Sequence, residues 1–409
     1  GLEVVLPNKI SSKEKAVVKK DSAFCYPVNL AHEYFKELIK VDSDYIFLPH
    51  VKGMYVENSI SISLTCPFVQ GESYYLGTTF DVVDSEKVIT PILDFADGYD
   101  RVPEKFIEIG ERLGFGRQKS FEAYKYAAEI QKSFVKKCRQ IGRKFLEDIE
   151  KTGEKAIVLF GRPYNAIVKD GNMGIPEKFA SRGYKVISYD FLPIEQEEPQ
   201  TKMYWSLGQM ILKAAKLVSK HPQLFGVFVT NFSCGPDSFI VGYFRDIMGS
   251  KPSLTLELDS HTADAGIDTR IDAFIDVIKN YESEKIEQKS NRIDLTAIFD
   301  EKMKKIKTIS GEHLSIKDSR IKVLIPSMGY VSSRCFAAAF KYVGIDAVAL
   351  NAPTEEELQL GRANSTCKEC LTLMLTVGSL LNYLKKNKDD RILVYFMPEA
   401  PDPCRFGQY

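Results

Sequence analysis

Eight cysteines punctuate the chain, and six of them occupy similar places. Cys25 and Cys370 head the apolar-periodic segments YPVNLAHEYFKELIK and LTLMLTVGSLLNYLKK, and Cys367 lies three residues before Cys370. Cys66, Cys234 and Cys404 each fall in a loop after an apolar run. Helix N-termini carry partial positive charge, which favours thiolate, the form that binds metal. Structural zinc takes four ligands, often from two Cys-x-x-Cys pairs. Here there is one such pair, Cys367 and Cys370, and none of the five histidines adjoins a cysteine. Thiols alone, dispersed along the chain, suit an iron–sulfur cluster better. Six thiols would hold two cubanes with three ligands each. A redox dithiol at Cys367 and Cys370 is the alternative, and it leaves the other four unexplained. Cys138, among lysines in a long helical pattern, and Cys335, beside Phe336 and three alanines, read as packing residues.

The elements that must position these thiols repeat. The last stretch reads strand IKVLIP, helix SSRCFAAAFKYVG, strand DAVALN, a cysteine-led helix, and strand RILVYFMP running into Cys404. The middle of the chain reads KAIVLFG, GIPEKFASRG, YKVISYD, MYWSLGQMILKAAKLVSK and FGVFVTNF, running into Cys234. At the front come LEVVLP, the helix led by Cys25, and DYIFLPHV followed by Cys66. In the middle copy Tyr204 and Trp205 stand at the helix start instead of cysteine. Self-similarity of this kind signals repeated supersecondary units. Continuous apolar runs suit parallel strands, and ligands bind at the carboxyl edge of such sheets.

The expected fold is therefore α/β: three tandem parallel-sheet, Rossmann- or flavodoxin-like units with an amphipathic helical linker. The expected divisions are a first unit at 1–100, the helical linker at 101–153 and a second unit at 154–280. A polar, weakly helical linker at 281–319 and a third unit at 320–409 complete the chain. By comparison with its own repeats, the chain is expected to lack about one strand and one helix at each end.

Composition narrows the partners. Lys+Arg and Asp+Glu both total 55, which gives no electrostatic footprint for nucleic acid or an anionic membrane. The longest apolar stretch is too short to span a bilayer, no signal-peptide pattern is visible, and a cytoplasmic location is expected. A chain of 409 residues can bury a core without disulfide staples. No Gly-x-x-x-x-Gly-Lys-Ser/Thr loop is present, and the glycines from Gly110 to Gly116 lie between helical patterns with no strand before them. No ATP is expected to bind this chain.

The segments GRPYNAIVKDGNMGIPEKFASRGYKVISYDFLP, NFSCGPDSF, ELDSHTADAGIDTRIDAF, GRANSTCKECLTLMLTVG and PCRFGQY resemble the 2-hydroxyacyl-CoA dehydratase-like module. This module is associated with CoA-enzyme activases and includes the double-cubane cluster proteins. The resemblance covers nearly the whole chain. It implies an oxygen-sensitive protein of anaerobes that receives low-potential electrons from an ATP-hydrolysing 4Fe-4S activase, separate or fused. It further implies a double-cubane 8Fe-9S or a 4Fe-4S cluster. The implied ligands are Cys25, Cys66, Cys234, Cys370 and Cys404, with Cys367 standing where relatives often carry glycine. The implied activity is an iron–sulfur oxidoreductase reducing small molecules. A dehydratase-type component (a lyase) and a non-catalytic module of an activase fusion are the alternatives, and a homodimer stays open. Arg162, Asp237 and Arg405 fall beside the expected site and read first as helix caps or surface charges.

Overall fold

The computed structural model describes residues 2–7, 25–59, 62–82, 85–200, 202–259, 262, 264–281, 297–300, 302–366, 368–398 and 404–409. The chain divides into two compact units, one within residues 1–285 and one within 286–409.

The first unit opens on residues 2–7, which form no ladder among the described residues and leave Leu2, Val4, Val5 and Leu6 exposed. The strand expected at LEVVLP is thus absent, because it has no partner strand to pair with. Helix α1 (Tyr26–Leu38) buries Val28, Leu30 and Phe35. Strands β1 (Ile46–Phe47) and β2 (His50–Gly53), helices α2 (Pro67–Gln70) and α3 (Glu72–Thr79), and strands β3 (Val88–Ile89) and β4 (Ile92–Asp94) follow. The pairs β1–β3 and β2–β4 are parallel. DYIFLPHV and VITPILD, each read as one strand, are both split at a central proline, Pro49 and Pro91. Proline has no N–H to give to a ladder. The carbonyl of Leu48, opposite Pro91, takes the Ser73 hydroxyl instead, at 2.5 Å.

Helices α4 (Pro103–Arg112) and α5 (Arg117–Thr152) form a hairpin. The 36-residue α5 ends at Gly153 in the left-handed conformation, with φ of 73°. A Cβ at Gly142 would lie 1.9 Å from the Phe191 carbonyl oxygen, so this glycine lets α5 lie directly against that backbone.

Beyond α5 come β5 (Ala156–Phe160), three short helices α6 (Pro163–Ala166), α7 (Lys169–Asn172) and α8 (Ile175–Ala180), and β6 (Lys185–Ser188). Helix α9 (Ser206–Lys220), β7 (Leu224–Asn231), α10 (Asp237–Met248), β8 (Ser253–Leu258) and α11 (Asp264–Asn280) complete the unit. The four strands are parallel in the order β6-β5-β7-β8. Every position of β5 and β7 is buried, as expected for strands covered on both faces. One face packs Ile157, Phe225 and Val227 against Phe179, Ile271 and Phe274. Aromatic contacts join Phe160 and Phe228 to Phe244 of α10.

The second unit contains an antiparallel sheet of β9 (Ala297–Asp300), β10 (Lys305–Thr308) and β11 (His313–Leu314). It occupies a stretch whose polar pattern suggests weak helix; Ile306 and Leu314 instead pack on Ile321. Strand β12 (Ile321–Ile325), α12 (Tyr330–Tyr342), β13 (Ala347–Ala349), α13 (Glu355–Ala363), α14 (Leu371–Lys386) and β14 (Ile392–Tyr395) follow. Their parallel order is β13-β12-β14. Its first strand sits between its second and third, as in the central sheet of the first unit. The architecture is mixed α/β with several short parallel sheets, consistent with a Rossmann- or flavodoxin-like layout.

Candidate functional site

Four of the cysteines share one backbone geometry. Cys25, Cys66 and Cys370 are the N-cap residues of α1, α2 and α14, and Cys404 caps a 3-10 turn, Arg405–Gln408. Their φ/ψ values are −67°/152°, −60°/141°, −70°/154° and −68°/132°. None of the four side chains caps its own helix. The extended N-cap conformation places each thiol where helix N–H groups and positive end charge converge. Prolines at Pro27 and Pro67, in the first turns, fix two of these entries. In α9 the N-cap is Trp205, at φ −78° and ψ 119°, the place that cysteine takes in α1 and α14.

In the first unit the loops after β5 and β7 carry Arg162 and Cys234. In the order β6-β5-β7-β8 the chain turns to opposite sides at these two strands, so the loops flank the switch point where α/β sheets bind ligands. Arg162 and Asp237 are 3% and 2% exposed and are paired, with Nε 3.2 Å from Oδ1. Arg162 Nη2 also donates to Cys234 Sγ at 2.5 Å, and Nη1 donates to the Tyr164 hydroxyl at 2.7 Å. Asp237 Oδ2 accepts the Thr230 hydroxyl at 2.6 Å, and the Asp237 N–H donates to Cys234 Sγ at 3.2 Å. Burial alone would lower the Arg162 pKa, but Asp237 and Cys234 beside it outweigh burial and hold it well above the arginine value. Burial pushes the Cys234 thiol well up, against the pull of Arg162. It also raises the Cys25 thiol, against the Val28 N–H and Arg162.

Cys66 lies within electrostatic reach of Cys25, Cys234 and Arg162. Its loop is stitched to the segment ahead of α9: Leu64 N–H donates to Tyr204 O at 2.7 Å, and Ser206 N–H to Leu64 O at 2.8 Å. A cavity of about 770 Å³ opens here, lined by Cys25, Cys66, Arg162 and Trp205 and otherwise by side chains such as Phe35 and Leu76. Tyr34, also on its wall, donates to Asp170 Oδ2 at 2.6 Å and ties α1 to α7. Burial, then that carboxylate, pushes the Tyr34 phenol up to about 12.

In the second unit Cys370 Sγ and the Tyr409 hydroxyl are 2.5 Å apart, and Cys404 lies within electrostatic reach of Tyr409. The six expected ligands thus fall into a trio in the first unit (Cys25, Cys66, Cys234) and a pair in the second (Cys370, Cys404); Cys367 lies outside the described residues. Cys138 is buried on α5, as a packing residue should be. Cys335 is exposed, contrary to the packing expectation. The buried face of α12 is Ser333 and Ala337, and a residue midway between two positions four apart points the other way. Arg162 and Asp237 are neither surface charges nor simple caps, since each is buried against the other. Tyr409 was not legible as a site residue, because its partner Cys370 is far away in sequence; Tyr164 and Thr230 lie close to their partners Arg162 and Asp237, but only the burial of that pair singles them out.

Among the described residues, no three His, Cys, Asp or Glu side chains are placed to hold one metal ion, and no helix is long and apolar enough to cross a membrane. No curated protein and no solved structure matches the chain. Residues 1–192, a little under half of the chain, match the family model described as CoA enzyme activase uncharacterised domain (DUF2229). That segment carries Cys25, Cys66 and Arg162, and through it the chain is similar to the CoA-enzyme-activase-associated family.

Proposed function

We propose that this chain is the cluster-bearing component of an activase-linked redox system, with Cys25, Cys66, Cys234, Cys367, Cys370 and Cys404 as iron–sulfur ligands. The observation that carries the reading is the trio of cysteine turns around buried Arg162 at the wall of an apolar cavity. The donor set fits such a group. It is thiol only, and a cluster spaces its thiolates more widely than a single ion does, because each binds a different iron. Bound there, the cluster would supply one-electron chemistry at low potential.

The chain's own residues do the rest. Burial raises the Cys25 and Cys234 thiols, so binding a cluster would release their protons, and the Arg162 charge would then offset part of the buried thiolate charge. The apolar walls exclude water and admit a small, largely uncharged substrate. ATP is handled by a partner activase or a fused domain, so the chain alone has no ATPase activity. A dehydratase-type component is the second reading, favoured by the CoA enzyme activase match over residues 1–192.

Anaerobic purification followed by iron and acid-labile sulfide assay tests the proposal. About eight iron per chain fits the double cubane; about four with binding of a CoA ester fits the dehydratase reading. Cys234→Ser should lose iron, while Cys138→Ala should retain it. A colourless chain that folds without iron refutes both readings and leaves a non-catalytic module.

A further inference from the structure

The cavity beside Cys25 and Cys66 carries a charge that thiol chemistry leaves unused. Among the described residues two charged side chains line it, Arg162 and Glu72. Arg162 is taken up by Asp237, at 3.2 Å. Glu72 is different: among the described residues no cation and no hydrogen-bond donor is paired with its carboxylate. It stands in the first turn of α3, where the helix end favours negative charge, yet burial outweighs that and raises its pKa. The wall is left with one unbalanced negative charge in apolar surroundings, where charges are ordinarily paired.

The rest of the wall suits a cation with a hydrocarbon body. Phe68, Glu72 and Tyr75 are spaced four and three residues apart on the consecutive turns of α2 and α3, so they share one side, and all three line the cavity. The Phe68 and Tyr75 rings meet edge to face, with centroids 6.2 Å apart. The Tyr75 phenol lies within electrostatic reach of Glu72, Cys25 and Cys66, which puts the carboxylate and both thiols around one space. Tyr34, Phe95 and Trp205 add further rings. Aromatic faces attract cations, and most strongly where water is excluded, so rings around a carboxylate form a receptor for an organic ammonium.

We propose that the cavity binds a small amine, uncharged except at one ammonium group that pairs with Glu72 and meets the rings of Phe68 and Tyr75. A neutral alcohol would leave the carboxylate uncompensated, and an anion would be repelled by it. Thiolates at Cys25 and Cys66 would add to the negative charge that the ammonium balances. The volume of about 770 Å³ is ample for such a molecule. This names the substrate class for the redox function and rests on that reading only for what is reduced; the binding itself needs only the cavity.

Titrating the full chain with benzylammonium and with benzyl alcohol, which share a body and differ in charge, tests this. Trp205, the single tryptophan, stands on the wall and reports occupancy by its fluorescence. The ammonium should bind at least about tenfold more tightly than the alcohol. Glu72→Gln should abolish that preference and leave the Kd of the alcohol unchanged, which also shows that the variant is folded. Phe68→Leu should weaken the ammonium about threefold more than the alcohol. Equal affinities in the wild type overturn the proposal, as does binding of neither ligand, or a preference that survives Glu72→Gln. Iron assayed on the same preparations separates this from the cluster reading. An iron-bearing chain without the preference overturns the amine site alone, and an iron-free chain that keeps the preference supports the amine site and refutes the cluster.

Discussion

Replacing Arg162 by Leu tests the electrostatic centre of the site. The substitution leaves Asp237, 2% exposed, with its charge and without its cation. Its Thr230 hydroxyl bond at 2.6 Å remains, so hydrogen bonding is only partly lost. Removing one partner of a buried ion pair costs about 3–5 kcal/mol, because the remaining charge stays desolvated. For a unit of this size that is a fall in Tm of roughly 6–20 °C. Trp205 is the single tryptophan of the chain and is 3% exposed on the cavity wall, so its fluorescence reports unfolding at this place. Urea titrations of wild type, Arg162→Leu and Arg162→Leu/Asp237→Asn should therefore separate charge from packing. The double variant should regain about half or more of the loss, since the stranded charge is gone. A single variant that loses under about 1 kcal/mol refutes the argument, since a broken buried pair must cost more. So does a double variant as unstable as the single, for then packing and not charge was responsible.

Gly361 and Gly378 let α13 and α14 touch backbone to backbone: a Cβ at either would fall 1.8 Å from the carbonyl oxygen of Met374 or Glu357. Gly361→Ala should cost about 1–3 kcal/mol or more in thermal denaturation, whereas Gly266→Ala, in open space on α11, should be neutral or stabilising by up to ~1 kcal/mol. Lys251, 8% exposed, donates to the Val218 carbonyl at 2.6 Å near the end of α9, and burial lowers its pKa to about 8. Below pH 8 both folded and unfolded chains carry the charge, and the burial penalty is constant. Between about 8 and 10.5 the folded chain gives up the proton first, so stability should rise with pH by up to about 3 kcal/mol relative to Lys251→Met. Parallel denaturation curves of the two proteins over that range would contradict the assignment.

Much of the fold was legible because it is written in local patterns. Continuous apolar runs mark β5, β7 and β12, since strands covered on both faces have no polar side to show. The cysteines at helix starts were legible from their position before apolar-periodic segments. Helix α13 carries its start signal in the capping box of Thr354 and Glu357, yet its polar composition shows no apolar periodicity to mark it as a helix. Pro49 and Pro91 were visible too, yet only the pairing shows that they break the same ribbon.

What the tertiary structure alone decided is which polar groups meet. Cys234, Arg162 and Asp237 could be marked near one site from the sequence, but the pairing of the guanidinium with the carboxylate and the thiol depends on two strands lying side by side. Cys335 and Cys138 look alike in sequence, but one faces solvent and the other the core, because helix rotation is set by what the helix packs against. Residues 2–7 have the composition of a strand and pair with no strand among the described residues. Propensity and periodicity are local and can be read from the chain, whereas burial, ion pairing and strand pairing depend on contacts between distant residues, which the order of residues does not state.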